Sequence, residues 1–391
     1  MKADPKIPPE FALAAACCRW PPSPARDLAV RGAALSSLDW DLVVATARRH
    51  QVQGLVHDGL RRAGVEAPAA AAGDLAAAAG AIAHQNLHFA AEAARLDRLF
   101  SETGIPYLFV KGATLNSLAY GTQSLKKAID IDMVIDPDLY EKAIEVVETA
   151  GYRCIQPRID ADRAEILAWA KQRKHSIWTR EGIRLELHTA LVDSAAMLGG
   201  VGIDSPRRQV EIAQGIALPT LERDELFAYL CVHGATHAWS RLKWLADLAA
   251  LAGRDPGTIE PVYRHSIAFG AGRCGGQALL LAHRLLALPL PAGLAAELEG
   301  DPAIGYLARV ALDAMTGGGA RELDELVFGT TAIHLSHLRL KKGVGFKLHE
   351  IRRKLRSGDH GEARGPARLL ARLLAAPRWL ARRVRRAAAG R

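Results

Sequence analysis

Short apolar strand patterns alternate with helical patterns over residues 107–191 of this 391-residue chain. Branched and aromatic residues without alternation predict a strand at 106–110 that is buried on both faces. Glu181 and Gly182 suit a hairpin turn between the last two strands of the region. The alternation predicts a small α/β unit of about 85 residues. Its strands are predicted at 106–110, 128–135, 152–156, 175–179 and 183–187, with helices at 113–120, 137–151 and 164–171.

Helical spacing of apolar residues fills most of the chain on both sides of that unit. We predict helices through about 11–100, with a break near Gly73 and Asp74. The fold class predicted is therefore α+β, a small mixed-sheet core flanked by helical domains. Later helices or helix pairs are predicted at 225–252, 261–288 and 302–315, and 323–356 is mixed in pattern. The predicted boundaries are an N-terminal helical region 1–102, the core 103–192, a C-terminal helical domain 193–350 and a basic amphipathic tail 351–391.

Two aspartates stand two residues apart in the second predicted strand. Side chains at this spacing project from one face of a strand, so Asp130 and Asp132 point the same way while Ile131 and Met133 enter the core. Adjacent carboxylates repel each other unless a cation lies between them. Oxygen ligands of this kind favour Mg²⁺ or Mn²⁺.

A third carboxylate lies in the last predicted strand, where Leu185 and Leu187 alternate with Glu186 and His188. If this strand pairs beside the strand of the aspartates, Glu186 completes a cluster able to hold two metal ions about 4 Å apart for in-line phosphoryl transfer. His188 shares the face of Glu186. Two roles are open for it, an acid or base near neutral pH, or a hydrogen-bonding partner that orients a ligand.

Lys111 and Gly112 lie between the first strand and the helix predicted at 113–120. Backbone N–H groups and the positive end of a helix favour an anion there, and a glycine permits close approach. Lys111 adds a positive charge, and Thr114 is a candidate hydroxyl donor. We expect a triphosphate at this loop, with Lys126 and Lys127 nearby.

Taken together, these motifs are similar to those of a known family. They are Lys-Gly after a strand, Asp-Ile-Asp before apolar residues, a distal Glu-Leu-His, and His233-x-x-x-His237 leading to Leu-Lys-Trp-Leu-Ala-Asp-Leu. The chain resembles the uncharacterised nucleotidyltransferase family of the polymerase-beta-like superfamily from about Trp40 to about Gly253. Lys126 stands where that family commonly has arginine, and Glu186 where it commonly has aspartate.

The resemblance implies a mixed-sheet nucleotidyltransferase core with Asp130 and Asp132 as metal ligands. The activity it implies is transfer of a nucleoside monophosphate from an NTP, with ATP the expected nucleotide, and release of pyrophosphate. Mg²⁺ or Mn²⁺ is the expected cofactor. The acceptor is open among a small molecule, a peptide or protein side chain, and an RNA end, because acceptor pockets follow no readable code.

Four polar residues in the first C-terminal helical segment have metal-ligand or ion-pair spacing. His233 and His237 are one helical turn apart, but no Glu follows His233 as in a zinc protease helix. We expect packing or contact with the acceptor rather than zinc. Lys243 and Asp247 are expected to form a structural ion pair.

The positive charge of the chain is concentrated at its end. Residues 351–391 contain thirteen Lys or Arg and two acids, which leaves 38 basic and 40 acidic residues in the rest of the chain. The body is thus nearly neutral, unlike an extended nucleic-acid binder. A basic amphipathic stretch at 364–391 suits an anionic membrane surface, RNA or DNA, or docking on the protein itself.

Several protein classes are disfavoured by the composition. The five cysteines form no CxxC pair, so neither a zinc knuckle nor a disulfide framework is indicated. No signal peptide pattern and no run of about 18 apolar residues is present. We therefore expect a cytoplasmic protein, peripheral at the membrane if the tail binds there.

Two alternatives to an enzyme stay open at this stage. One is a nucleotide-binding or regulatory module that keeps the fold without catalysis, since Ala113 and Thr189 depart from the family pattern. The other is a membrane- or RNA-associated partner protein that acts through its basic tail.

Overall fold

A computed structural model of the protein describes residues 7–159, 161–194, 196–317 and 331–356. The basic stretch 364–391 lies outside the described residues, as does the start of the block 323–356. Side chains are described up to Arg353.

The described residues form sixteen α-helices and seven β-strands. The strands are β1 Tyr107–Phe109, β2 Ile131–Ile135, β3 Arg153–Gln156, β4 His175–Arg180, β5 Ile183–His188, β6 Arg207–Ala213 and β7 Ile216–Leu221. The helices are α1 Pro9–Cys17, α2 Pro24–Ala34, α3 Trp40–His50, α4 Gln53–Ala63, α5 Ala69–Ser101, α6 Ala113–Tyr120, α7 Tyr140–Thr149, α8 Arg163–Arg173, α9 Arg223–Thr236, α10 Leu242–Gly253, α11 Ile259–Ala268, α12 Gly272–Leu286, α13 Ala292–Gly300, α14 Pro302–Thr316, α15 Thr331–Ser336 and α16 Val344–Arg356.

The first five strands form one mixed sheet in the order β1-β2-β5-β4-β3. Strands β2 and β5 are parallel, whereas the other neighbours are antiparallel. Glu181 and Gly182 both have positive φ and form the turn between β4 and β5, as a type I′ hairpin requires. The predicted α+β class with a small mixed sheet is confirmed.

Strand β2 begins three residues later than the sequence predicts. The Asn86 side chain of α5 takes the backbone bonds that a longer strand would give to a neighbour: it accepts from Ala128 N (2.9 Å) and donates to the Lys126 carbonyl (2.7 Å). Asp132 therefore lies in the strand, whereas Asp130 lies just before it.

Helix α5 runs unbroken through the position where a break was predicted, at Gly73 and Asp74. Alanines on both sides favour the helix and offset the cost of one glycine, about 1 kcal/mol. This 33-residue helix contributes side chains to two hydrophobic cores. Its start, with Leu75, packs into a core shared by N-terminal and C-terminal helices, and its end, with Phe100, packs into the core of the sheet.

A hairpin of β6 and β7 stands inside the region predicted as a C-terminal helical domain. It packs against β1, α5 and α6, and Ile212 and Leu218 join the core of the sheet. The alternation of Val210 and Ile212 before Gly215, which has φ +72°, is the sequence signal for it. This separate two-stranded sheet therefore packs on the core of the five-stranded sheet before the helices resume.

The C-terminal helices follow the predicted segments, each segment forming a pair where it is long. Segment 225–252 contains α9 and α10, segment 261–288 contains α11 and α12, and 302–315 is α14. None of the described helices is both long and apolar enough to cross a bilayer.

Candidate active site

Two acidic side chains meet on neighbouring strands of the sheet. Asp132 of β2 and Glu186 of β5 are paired in register across the parallel ladder, so their side chains leave the same face. The predicted pairing of these two strands is confirmed. Asp132 is 2% exposed, and its Oδ2 atom has no hydrogen-bond partner among the described residues. A buried carboxylate oxygen without a partner is costly unless a ligand occupies it.

His188 connects the two carboxylates. Its Nε2 lies 3.1 Å from Asp132 Oδ1 and 3.5 Å from Glu186 Oε2. The ring is buried and packs beside His175 with centroids 5.1 Å apart. Of the two roles left open for His188, the geometry favours the hydrogen-bonding partner that orients carboxylates.

These three residues have the spacing of a metal site. One ligand atom from each of Asp132, Glu186 and His188 can be chosen so that all lie within 4.8 Å of one another. The two carboxylates suit Mg²⁺ or Mn²⁺, and the unpartnered Asp132 oxygen supplies a free ligand atom. The donor set therefore fits a divalent cation.

Asp130 lines the same cavity but is not part of that three-residue group. Burial and the nearby Asp132 carboxylate raise the pKa of Asp130 to about 6, although Lys111 opposes the rise. Its role as a metal ligand stays a prediction. A bound cation would favour its ionised form by removing the repulsion between the two acids.

Internal cations hold the other two carboxylates ionised. Burial opposes ionisation of Asp132, but Lys111, whose Nζ lies 3.0 Å from Oδ1, and His188 hold the pKa of Asp132 well below its usual range. Despite burial, His188 and Arg184 lower the pKa of Glu186 to about 2. Both acids are thus ready to bind a cation at neutral pH.

The loop after β1 has the shape predicted for a phosphate cradle. Gly112 has φ +64° and ψ −126°, a conformation open to glycine, and directly precedes α6. A Cβ there would lie 3.6 Å from the Asp130 carbonyl oxygen, so the loop passes close to the acidic residues. Lys111 and Gly112 both line the cavity.

Thr114 does not reach the cavity. Its side chain is 1% exposed, and its hydroxyl donates to the Lys111 carbonyl at 3.1 Å. The burial of this hydroxyl and its bond to Lys111 therefore give no support to the expected contact with a phosphate. Thr114 instead fixes the loop that carries Lys111, because it bonds the backbone on the inner side of the turn.

Lys126 and Lys127 line the cavity as expected, but Lys126 has a partner of its own. Its Nζ lies 3.2 Å from Asp247 Oδ2, and both side chains are buried. The ion pair predicted between Lys243 and Asp247 is therefore wrong. Lys243 donates to the Gln51 side chain instead, and burial together with the Lys126 charge lowers the pKa of Lys243 to about 7.

The helical region forms the opposite wall of this cavity, which has a volume of about 520 Å³. Tyr229 and His233 face it from α9, and Trp244 from α10. The rings of His233 and His237 lie 4.9 Å apart, and Trp244 packs against both. Neither histidine belongs to the metal-ligand group found among the described residues.

Sequence reasoning missed Tyr229, which is buried and lies near Lys111. The signal was present: Tyr229 stands four residues before His233, on the same helical face. Gln51 was also missed. Gln51 caps the C-terminal end of α3, and it is distant in sequence from the other cavity residues. Its position at the cavity therefore depends on how the helices pack.

The fold and the site together define a nucleotidyltransferase-type α+β protein. A mixed sheet presents paired carboxylates beside a Lys-Gly loop, and helices close the other side of the cavity. A family model described as uncharacterised nucleotidyltransferase matches residues 36–287, and the chain belongs to that family. The resemblance inferred from the motifs is thus confirmed. A search of curated proteins found no match.

Proposed function

We propose that the protein transfers a nucleoside monophosphate from an NTP, with ATP the expected nucleotide, to an acceptor and releases pyrophosphate. The observation that carries the proposal is Asp132, paired in register with Glu186 and bearing a buried oxygen without a partner, in a cavity that also contains Lys111 and Gly112. Membership in the nucleotidyltransferase family supports the same reaction class.

Asp130, Asp132 and Glu186 would hold Mg²⁺ or Mn²⁺, with His188 orienting the last two. When bound, a divalent cation neutralises charge on the phosphate oxygens during in-line displacement. Glu186 would help deprotonate the acceptor. A cytoplasmic location is part of the proposal.

Positive groups beside the carboxylates would hold the triphosphate. Lys111 and the backbone of Gly112 face it from the loop after β1, and Lys127 lines the same cavity. Lys126 is paired with Asp247, so it would contribute positive charge behind the phosphates rather than a direct bidentate hydrogen bond to them.

Replacing Asp132 with Asn tests the proposal. The variant keeps the shape of the side chain but removes a charge that binds the cation, so pyrophosphate release from ATP should fall at least about 100-fold. Asp138→Asn is the matched control, since Asp138 is exposed on the turn after β2. If D132N releases pyrophosphate at the wild-type rate, the proposed mechanism is wrong.

One observation favours a second function, a nucleotide-binding module without catalysis. Lys111 pairs with Asp132 and Arg184 pairs with Glu186, so internal cations already balance these two carboxylates. Calorimetry separates the two functions. Tight ATP binding without pyrophosphate release under any acceptor would support the module.

A partner protein that acts through the basic stretch 364–391 stays a separate proposal, since that stretch lies outside the described residues. Truncation at Gly361 should abolish binding to anionic vesicles or RNA and leave ATP binding unchanged. Vesicle or RNA binding by the truncated chain would contradict it.

A further inference from the structure

A second cavity of about 590 Å³ adjoins the proposed nucleotide cavity. Lys174, Asp193, His233 and His237 line both, so the two spaces meet at these four side chains. The volume falls within the range of small-molecule sites, roughly 300–1,000 Å³. A molecule seated there would lie next to the nucleotide cavity, with the two histidines at the junction.

The wall of the second cavity is partly apolar. Apolar surface is supplied by Val232 of α9, by Leu340, which precedes α16, and by Phe346 of α16. Thr236, the last residue of α9, lines the same space. Such a lining desolvates the apolar part of a ligand and contributes about 25 cal/mol for each Å² buried. Apolar surface of this kind suits a molecule with a hydrocarbon or aromatic portion.

The charged side chains of the second cavity form pairs of opposite charge. Lys174 lies 3.5 Å from Asp193, and Arg353 lies 2.6 Å from the buried carboxylate of Glu350. His337 lies 3.4 Å from the same carboxylate. A nucleic-acid backbone is bound by lysine and arginine whose charge faces the phosphates. Balanced pairs favour an uncharged ligand over an RNA end.

Polar groups able to bond a hydroxyl face the same space. Ser194 is 8% exposed, and its Oγ has no hydrogen-bond partner among the described residues. His237 lies at the junction of the two cavities, because it lines both. A buried hydroxyl such as that of Ser194 needs a partner, and a ligand hydroxyl supplies one.

We propose that the acceptor is an uncharged, hydroxyl-bearing small molecule with an apolar portion, bound in the second cavity with its hydroxyl directed past His233 and His237. This inference rests on the proposed nucleotidyl transfer. The acceptor oxygen forms a bond to the α-phosphorus of ATP and the bond between the α-phosphorus and the bridging oxygen breaks. Pyrophosphate leaves, and the hydroxyl proton passes to Glu186 and from there to solvent.

The test uses the full chain, Mg²⁺ and ATP labelled in its α-phosphate. Three fractions of a cell extract serve as acceptor probes: the low-molecular-weight ultrafiltrate, total RNA, and the retained protein. Label should move onto a compound in the ultrafiltrate. Label on RNA or on protein instead would overturn the proposal.

Thr236→Trp fills the second cavity without touching the nucleotide cavity, because Thr236 lines the former and not the latter. Transfer to the ultrafiltrate compound should fall about 100-fold while ATP affinity by calorimetry stays the same. Thr236→Ser is the matched control and should transfer at the wild-type rate. Val192→Trp fills the cavity from another side, so that misfolding of one variant, seen in its melting temperature, leaves the other to decide.

Wild-type transfer by both filled variants would overturn the acceptor site alone. Absence of ATP binding or of pyrophosphate release in the wild-type chain with every fraction would instead overturn nucleotidyl transfer, and the acceptor site with it. The two failures are distinguishable because the second appears without any substitution.

Discussion

The side chain of Asn86 fastens the segment that leads into the acidic strand, and its removal gives a sharp test of the site's architecture. Asn86 is 1% exposed on α5, donates to the carbonyls of Gln123 and Lys126, and accepts from Ala128 N. Asn116 of α6 donates to the Lys126 carbonyl as well, at 3.1 Å. The two amides thus share one acceptor but differ in how many other backbone groups depend on them.

The magnitude follows from these bonds. Asn86→Ala removes two bonds to carbonyls, at about 1 kcal/mol each, and leaves the buried N–H of Ala128 without this partner, at about 1–3 kcal/mol. We therefore expect a loss of roughly 3–5 kcal/mol. Asn116→Ala removes one bond, and the Lys126 carbonyl keeps its bond from Asn86. Its expected cost through hydrogen bonding is about 1 kcal/mol.

Urea denaturation followed by circular dichroism measures both losses. The dependence of the free energy of unfolding on urea concentration should be the same in the wild type and both variants, so that the losses can be compared. The double variant should lose more stability than the sum of the two single losses, because the shared Lys126 carbonyl then loses both donors. ATP affinity should also fall in N86A, since the loosened segment carries Lys126 and Lys127 and ends at Asp130. A smaller loss of stability for N86A than for N116A would refute the reasoning.

Two further substitutions test the backbone of the loop and the burial of a histidine. Gly112→Ala should lower the free energy of unfolding by about 1–3 kcal/mol and weaken ATP binding, because the strain lies in φ +64° and the added Cβ would meet Asp130 O only at 3.6 Å. Gly73→Ala, in an open helical position, should stabilise by about 1 kcal/mol instead, and equal melting temperatures for the two variants would contradict this. His50 is 1% exposed, its Nδ1 accepts from Leu242 N at 3.0 Å, and burial lowers its pKa to about 3. Between that pKa and the unfolded value near 6.5 the unfolded chain binds the extra proton, so stability is full above about pH 6.5 and falls by about 4 kcal/mol as pH drops towards 3. His50→Asn keeps an acceptor but does not titrate, so urea midpoints from about pH 4 to about pH 7 should vary less in H50N, and identical pH dependence in both proteins would argue against this origin.

Much of the candidate site was predictable because strand periodicity is local. The alternation around Asp132 and around Glu186 assigns each acid to a face, and Lys111-Gly112 follows a strand that is apolar throughout. The pairing of β2 with β5 then brings the two acids into register. The start of β2 was predicted too early because the competing bonds come from Asn86, more than 40 residues before Asp130 in the chain.

The sequence by itself determined the α+β class, the order of strands and helices over 107–191, and the acidic and Lys-Gly motifs, since each depends on neighbours a few residues apart. Only the tertiary structure decided that Lys126 rather than Lys243 pairs with Asp247, that Thr114 turns inward, and that the β6–β7 hairpin packs against the five-stranded sheet. Ion pairs and buried hydroxyl groups depend on which elements meet across the core. Packing of the helices against the sheet sets those meetings, and it brings Gln51 and Tyr229 to the cavity from distant parts of the chain.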